Sequence, residues 1–182
     1  MKAERHKATR VIPPTPAPLI LTLKLPRDAH ARLDAERTAH FPADRLQVGA
    51  HVTLFHHLPG PQAPEIAAHL ASEVRHHAPF EVRVASLRFL GRGTAYALES
   101  RPLHDLREAL ARHWEPLLIP QDAQGFRPHV TVANKLDGAK AKALHAQLLA
   151  GFRPWSFVAA GVQLHRYDGG PWTMLGEWAF RR

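Results

Sequence analysis

The chain reads as an α+β fold built by pseudo-symmetric duplication, with two antiparallel sheets facing one another across a shared cleft. Three observations carry this reading. The tetrapeptide His51-Val52-Thr53-Leu54 returns as His129-Val130-Thr131-Val132, 78 positions further on. Each copy is followed by a turn, an amphipathic helical stretch and a hairpin. Each hairpin opens on an aromatic after proline, Pro79-Phe80 in one half and Pro154-Trp155 in the other. Polar and β-branched residues alternate in both tetrapeptides, the pattern of a strand with one wet face and one buried face. A repeated supersecondary unit of this kind doubles its surface features, so pseudo-two-fold symmetry would carry both copies to one cleft.

In chain order, residues 1–17 are basic and then proline-rich, without a periodic apolar face. They are expected to form a flexible leader outside the single domain of residues 18–182. Residues 18–25, PLILTLKL, alternate as a first strand. Residues 26–40 open on proline and carry Leu33 among Ala29, Ala35 and Ala39, as a helix would. Residues 48–58 hold the first His-x-Thr strand. Ile66, Ala67, Leu70 and Val74 stand at helical spacing within 64–77. Residues 80–90 form a strand with room for a bulge, which turns at Gly91-Arg92-Gly93 into a strand over 94–100. Leu103, Leu106 and Leu110 mark a helix over 102–114. FRPHVTVANK, residues 126–135, gives the second motif strand. A helix follows over 139–149, with Gly151 read as its C-cap. A strand over 156–166 and another over 172–180 make the second hairpin, across Asp168-Gly169-Gly170.

Composition narrows the chemistry. The 182 residues contain no cysteine, which excludes disulfides, thiolate metal sites and a cysteine nucleophile. No run of 18 apolar residues exists, and no compact apolar segment precedes a small-residue cleavage site, so a soluble cytoplasmic monomer is expected. The formal charge of +8, before any of the 14 histidines is protonated, favours polyanionic partners such as nucleic acid. Abundant arginine and alanine are equally what a GC-rich coding bias produces. No HExxH or His/Asp ligand cluster occurs, and no metal or other cofactor is expected.

On a strand, residues i and i+2 share a face roughly 6–7 Å apart. His51 with Thr53, and His129 with Thr131, are therefore two pairs that can each reach one phosphate-sized group. Two imidazoles can supply a base and an acid near neutral pH, while hydroxyls donate to oxygens on which charge develops. The remaining histidines carry less. His30, His40, His69, His104, His113 and His145 fall on helices at varied spacing, and His57, which shares the strand parity of His51, reads as a solvated strand end.

The paired motifs, the second preceded by Phe126-Arg127-Pro128, resemble the 2H phosphoesterase superfamily, of the bacterial 2'-5' RNA ligase and RNA 2',3'-cyclic phosphodiesterase type. The likeness runs from about Pro18 onward. It implies a bilobal domain, with helices outside the two sheets, and His51, Thr53, His129 and Thr131 as catalytic residues. It also implies metal-independent opening of RNA 2',3'-cyclic phosphate ends to a 2'-phosphate, with 2'-5' ligation as the reverse direction. Phe55-His56-His57 departs from the usual apolar continuation of the first motif. Arg127 and Lys135 are candidates to meet phosphate, and Phe55, Tyr167 and Trp172 to stack on a base, with core packing the alternative for the aromatics. Arg92, in its glycine-flanked turn, either reaches the cleft or solubilises the turn. The alternatives are a small cyclic phosphate derived from ADP-ribose as substrate, or a noncatalytic RNA-end-binding module.

Overall fold

The apolar alternation of the first strand and of each motif strand settles two sheets. The structure is a computed structural model that describes residues 12–181. Its strands are β1 (Leu19–Lys24), β2 (Thr53–Leu58), β3 (Phe80–Phe89), β4 (Thr94–Glu99), β5 (His129–Ala133), β6 (Trp155–Ala159), β7 (Gly161–Tyr167) and β8 (Trp172–Ala179). Its helices are α1 (Arg27–His40), α2 (Ala63–Glu73), α3 (Arg101–Trp114), the single turn α4 (Pro120–Ala123) and α5 (Gly138–Gly151). The sheets are ordered β2-β1-β7-β8 and β5-β4-β3-β6, antiparallel throughout. The fold is α+β with two four-stranded antiparallel sheets, as the duplication predicts.

Each motif strand occupies the edge of its sheet, beside the strand that opens its own half: β2 next to β1, and β5 next to β4. The next strand inward comes from the other half, β7 beside β1 and β3 beside β4. The halves thus exchange their closing strands. This corrects the continuous strand expected over 156–166, which is two strands in different sheets with Ala160 between them. Gly161 makes the crossing. Its φ is +156°, and a Cβ there would stand 2.1 Å from the Trp178 carbonyl oxygen, so only glycine fits.

One core joins both sheets and the helices, with Leu21, Val52, Leu54, Val82, Val130 and Leu164 among its buried members. Each such side chain contributes roughly 1.5–3 kcal/mol by leaving water. Along α1 the buried stripe is Ala29, Leu33 and Arg37; along α3 it includes Leu103, Arg107, Leu110 and Trp114. An arginine therefore stands at a core-facing position of each helix. Asp137 caps α5 by accepting from the Ala139 and Lys140 N–H groups. Gly151 is not a C-cap but the last helical residue; extended Phe152 closes the helix by donating to Leu149 O.

Of the stretch expected as a leader, residues 1–11 lie outside the described residues. Residues 12–17 pack against the body: Ile12 is only 4% exposed, and Thr15 N–H donates to Gly60 O at 3.0 Å. Among the described residues, no helix is long and apolar enough to cross a membrane.

Candidate active site

The first motif is held by what precedes it. Its ladder begins at Thr53, so His51 stands just before the strand rather than within it, although Val52 O still accepts from Leu23 N–H at 2.9 Å. α1 pins the approach: Arg37 Nε donates to Val48 O at 3.0 Å, and Asp34 Oδ1 accepts from Ala50 N–H at 2.7 Å. His51 Nδ1 lies 2.7 Å from Gly49 O. A carbonyl can only accept, so this nitrogen carries the proton and Nε2 keeps its lone pair in the neutral ring. The ring packs against Trp172, centroids 4.7 Å apart. Burial lowers the His51 pKa to about 4; the Gly49 hydrogen bond opposes this, and the neighbouring charges of Arg37, His129 and His165 add to it.

The second motif repeats the device. His129 Nδ1 donates to Arg127 O at 2.9 Å, which again leaves Nε2 free. Burial lowers its pKa, the Arg127 carbonyl opposes the shift, and the charges of Arg88 and His56 lower it further. Thr131 is half-buried on the same face of β5 as His129. Two buried guanidiniums brace the motifs. Arg37, besides holding Val48, donates through Nη1 to Thr131 O at 2.8 Å. Arg107 donates from Nε to Leu54 O at 2.7 Å and from Nη2 to Asp122 O. Each helix of one half thereby reaches the motif strand of the other.

The cleft has two arms. One, of about 510 Å³, is lined by Thr53, His56, Arg88, Arg127 and His129 among others. The other, of about 480 Å³, is lined by Leu25, Pro26, His51, His165 and Trp172 among others. Thr53, on the His51 side of the sequence, thus shares a pocket with His129, and the two motifs meet. Thr131 lines neither arm. Of the candidate substrate contacts, Arg127 and Trp172 stand in the arms. Phe55 does not: it is 0% exposed, under the Arg107 guanidinium at 3.7 Å and edge-on to Trp114, with no face left for a base. Lys135 is exposed and Tyr167 is 40% exposed, and neither lines an arm. Arg92 is tied to Leu136 O through Nε at 3.0 Å.

Several cleft residues escaped the sequence reading. β2 is bulged, with register shifts on both sides of the Leu21–Phe55 pair. Strict parity fails there, so His56 lines the cleft and His57 does not. His56 Nδ1 donates to Asp122 Oδ1 at 2.9 Å, and Asp122 also accepts the His56 and His57 backbone N–H groups at 2.9 Å. Burial pushes the Asp122 carboxyl up, but the hydrogen bonds from His56 and His57 outweigh it and hold the group below the usual carboxylate range. The unusual Phe55-His56-His57 run was the available signal for His56. Asp122, in the aperiodic PQDAQG stretch, had none. His165, with Nε2 3.0 Å from Thr22 Oγ1, and Arg88 complete the walls. Among the described residues, no three His, Asp or Glu side chains converge as a metal ligand set.

Two imidazoles with fixed tautomers, facing a divided cleft between two sheets, define a class of protein equipped for paired proton transfer. The chain belongs to the 2'-5' RNA ligase superfamily, whose family profile matches residues 25–171. Among solved structures, TT0787 of Thermus thermophilus is similar at 22% identity and a TM-score of 0.65, over 89% of this chain and 97% of that one. E. coli LigT in complex with 3'-AMP is similar at 19% identity and a TM-score of 0.59, over 92% of this chain and 100% of that one. Its complex with ATP gives 20% identity and a TM-score of 0.61, with the same coverage. These identities establish a shared fold. No curated protein sequence matches the chain.

Proposed function

We propose that the protein is a metal-independent phosphodiesterase that opens RNA 2',3'-cyclic phosphate ends to a 2'-phosphate, using His51 and His129 as its proton-transfer pair. The observation that carries this reading is the matched tautomer of the two rings, each with Nδ1–H on the carbonyl two residues back and Nε2 free. Water attacks phosphorus and gives its proton to one Nε2; the P–O3' bond breaks, and the other Nε2 gives its proton to the departing oxygen. The product is a 2'-phosphate and a 3'-hydroxyl. His51, whose pKa falls to about 4, is the base. His129 is the acid, and the negative charge of a bound phosphate favours its protonated form. Thr53 and Thr131 donate to the nonbridging oxygens as charge builds there. Run backwards, the same steps join a 2'-phosphate end to a hydroxyl, and the two histidines exchange roles. LigT has been captured with 3'-AMP, which supports a nucleotide phosphate as the ligand to test first.

The test is a short RNA with a 2',3'-cyclic phosphate, incubated with the protein and EDTA, its product resolved as 2'- or 3'-phosphate. Chelator-resistant 2'-phosphate is expected. His51→Ala and His129→Ala should each lower turnover by about 10²–10⁴-fold, the contribution of one placed proton-transfer group. Turnover unchanged in both variants would end the mechanism. RNA bound without turnover would leave a module that binds RNA ends, and neither would direct attention to small cyclic phosphates.

A further inference from the structure

We propose that the His129 arm of the cleft holds a second phosphate subsite, built from His56, Arg88 and Arg127, for a phosphate of the substrate other than the reacting one. The proposal rests on the reading of the cleft as a nucleotide phosphodiesterase and specifies its substrate: a terminal nucleotide that also bears a 5'-phosphoryl group.

The two arms differ in chemistry. On the His51 side, Trp172, Pro26 and Leu25 offer flat and apolar surface beside His165. On the His129 side, two guanidiniums, an imidazole and the side chains of Gln121 and Gln124 line one pocket of about 510 Å³. Neither the Arg88 nor the Arg127 guanidinium makes a hydrogen bond or ion pair with another described residue. Two unpaired cations in one concave wall are an anion site waiting for its ligand, since arginine matches phosphate with paired donors.

The one acid in that wall does not oppose an anion. Asp122 is 2% exposed, and its two carboxylate oxygens are taken up by the backbone N–H groups of His56 and His57 and by His56 Nδ1. Arg107, buried behind it, offsets its charge. What the pair presents to the pocket is His56 Nε2. With Nδ1–H fixed on the carboxylate, a proton taken up by His56 sits on Nε2 as a donor beside Thr53 and His129. The reacting phosphate is served by the two motif pairs. The cations on the His129 side are additional, and they lie on one side only. A 5'-phosphoryl group on the same nucleotide is the second anion that such an arrangement suits, whether it is the internucleotide linkage of an RNA or the monoester of a mononucleotide.

The test is calorimetric titration of the full chain, at fixed ionic strength, with three ligands. These are adenosine 2'-phosphate, adenosine 2',5'-bisphosphate, and the dinucleotide ApA ending in a 2'-phosphate. Hydrolysis of the corresponding cyclic phosphates is measured in parallel. A second phosphate should tighten binding by about ten- to hundredfold, the worth of one charge-assisted contact. Arg88→Gln and His56→Gln should each bring that ratio close to one, whereas Arg83→Gln, an exposed arginine paired with Glu99 and absent from the cleft lining, should preserve it. A gain with the dinucleotide identifies the internucleotide linkage as the group bound; a gain with the bisphosphate alone identifies the monoester. Equal affinity for all three ligands, or a ratio retained in both cleft variants, overturns the subsite. Preference without hydrolysis would retire the catalytic reading and keep the subsite, and hydrolysis without preference would do the reverse.

Discussion

His51 has its pKa lowered to about 4, chiefly by burial, and His129 is lowered from the ordinary histidine value of 6.5 for the same reason. If His51 is the base, kcat/KM falls as pH drops through about 4 and this ring is protonated. If His129 is the acid, kcat/KM falls as pH rises through its lowered pKa and the free protein loses that proton. The expected profile is a bell with its maximum between about 4 and 6.5, on the acid side of neutrality, and its limbs belong to the coupled pair. Measuring kcat/KM from pH 3.5 to 8.5 checks it; a maximum above pH 7.5 would refute the assignment. At this scale the sequence was generous with the motif residues, because a period of two places His and Thr on one face without tertiary information. It was silent on Asp122, whose role depends on a contact with His56 across 66 positions.

The motif strands lie at sheet edges, and edge strands need support that a ladder on one side does not supply. Arg37 and Arg107 provide it by crossing between halves. Arg37→Met would leave the Val48 and Thr131 carbonyls without their donor, in a region where water does not easily replace it. The expected cost is about 2–4 kcal/mol, read as a lower midpoint in urea, with a drop in turnover because both motif backbones lose their common tether. An unchanged midpoint would show the brace to be dispensable. The helices themselves were legible from apolar spacing, and so were most strands. What was not legible was the charged residue on the buried stripe, since arginine at a core-facing position reads as an exposed one. The break at Ala160 was equally hidden: SFVAAGVQLHR alternates well enough for one strand, and only the crossing between sheets reveals Gly161 as the point of departure.

For the molecule as a whole, pH acts through several half-buried rings at once. Burial lowers the pKa of His51, His69, His129 and His165. A histidine whose folded pKa is depressed binds its proton more readily when unfolded, so its contribution is intact above about 6.5 and is lost as pH falls below that value. For His51 the loss is complete near pH 4. Asp122 acts in a lower window, because a depressed carboxylate is protonated, and its contribution lost, only below the ordinary Asp range. Thermal midpoints should therefore fall steadily from pH 6.5 to 4, and His51→Gln should flatten that slope; a slope unaffected by the change would contradict the burial account. The duplication, the order of the elements and the meeting of the two motifs were all readable from the repeated tetrapeptide. The exchange of closing strands was not, because nothing in a strand's own residues names its neighbour.

That exchange also sets a timetable for synthesis. When the ribosome has delivered the chain through Ala160, β3, β4, β5 and β6 are all present, and the sheet carrying His129 can close. The sheet carrying His51 is then only the ribbon of β1 and β2, because its other two strands, with His165 and Trp172, are encoded in the last residues. Pairing Leu19 with Arg166 requires nearly the whole chain to loop back, a slow and late event. A nascent or prematurely ended chain would thus hold one finished half of the cleft and one exposed ribbon. The base would be the last part of the machine to arrive, and the enzyme would stay silent until translation ends.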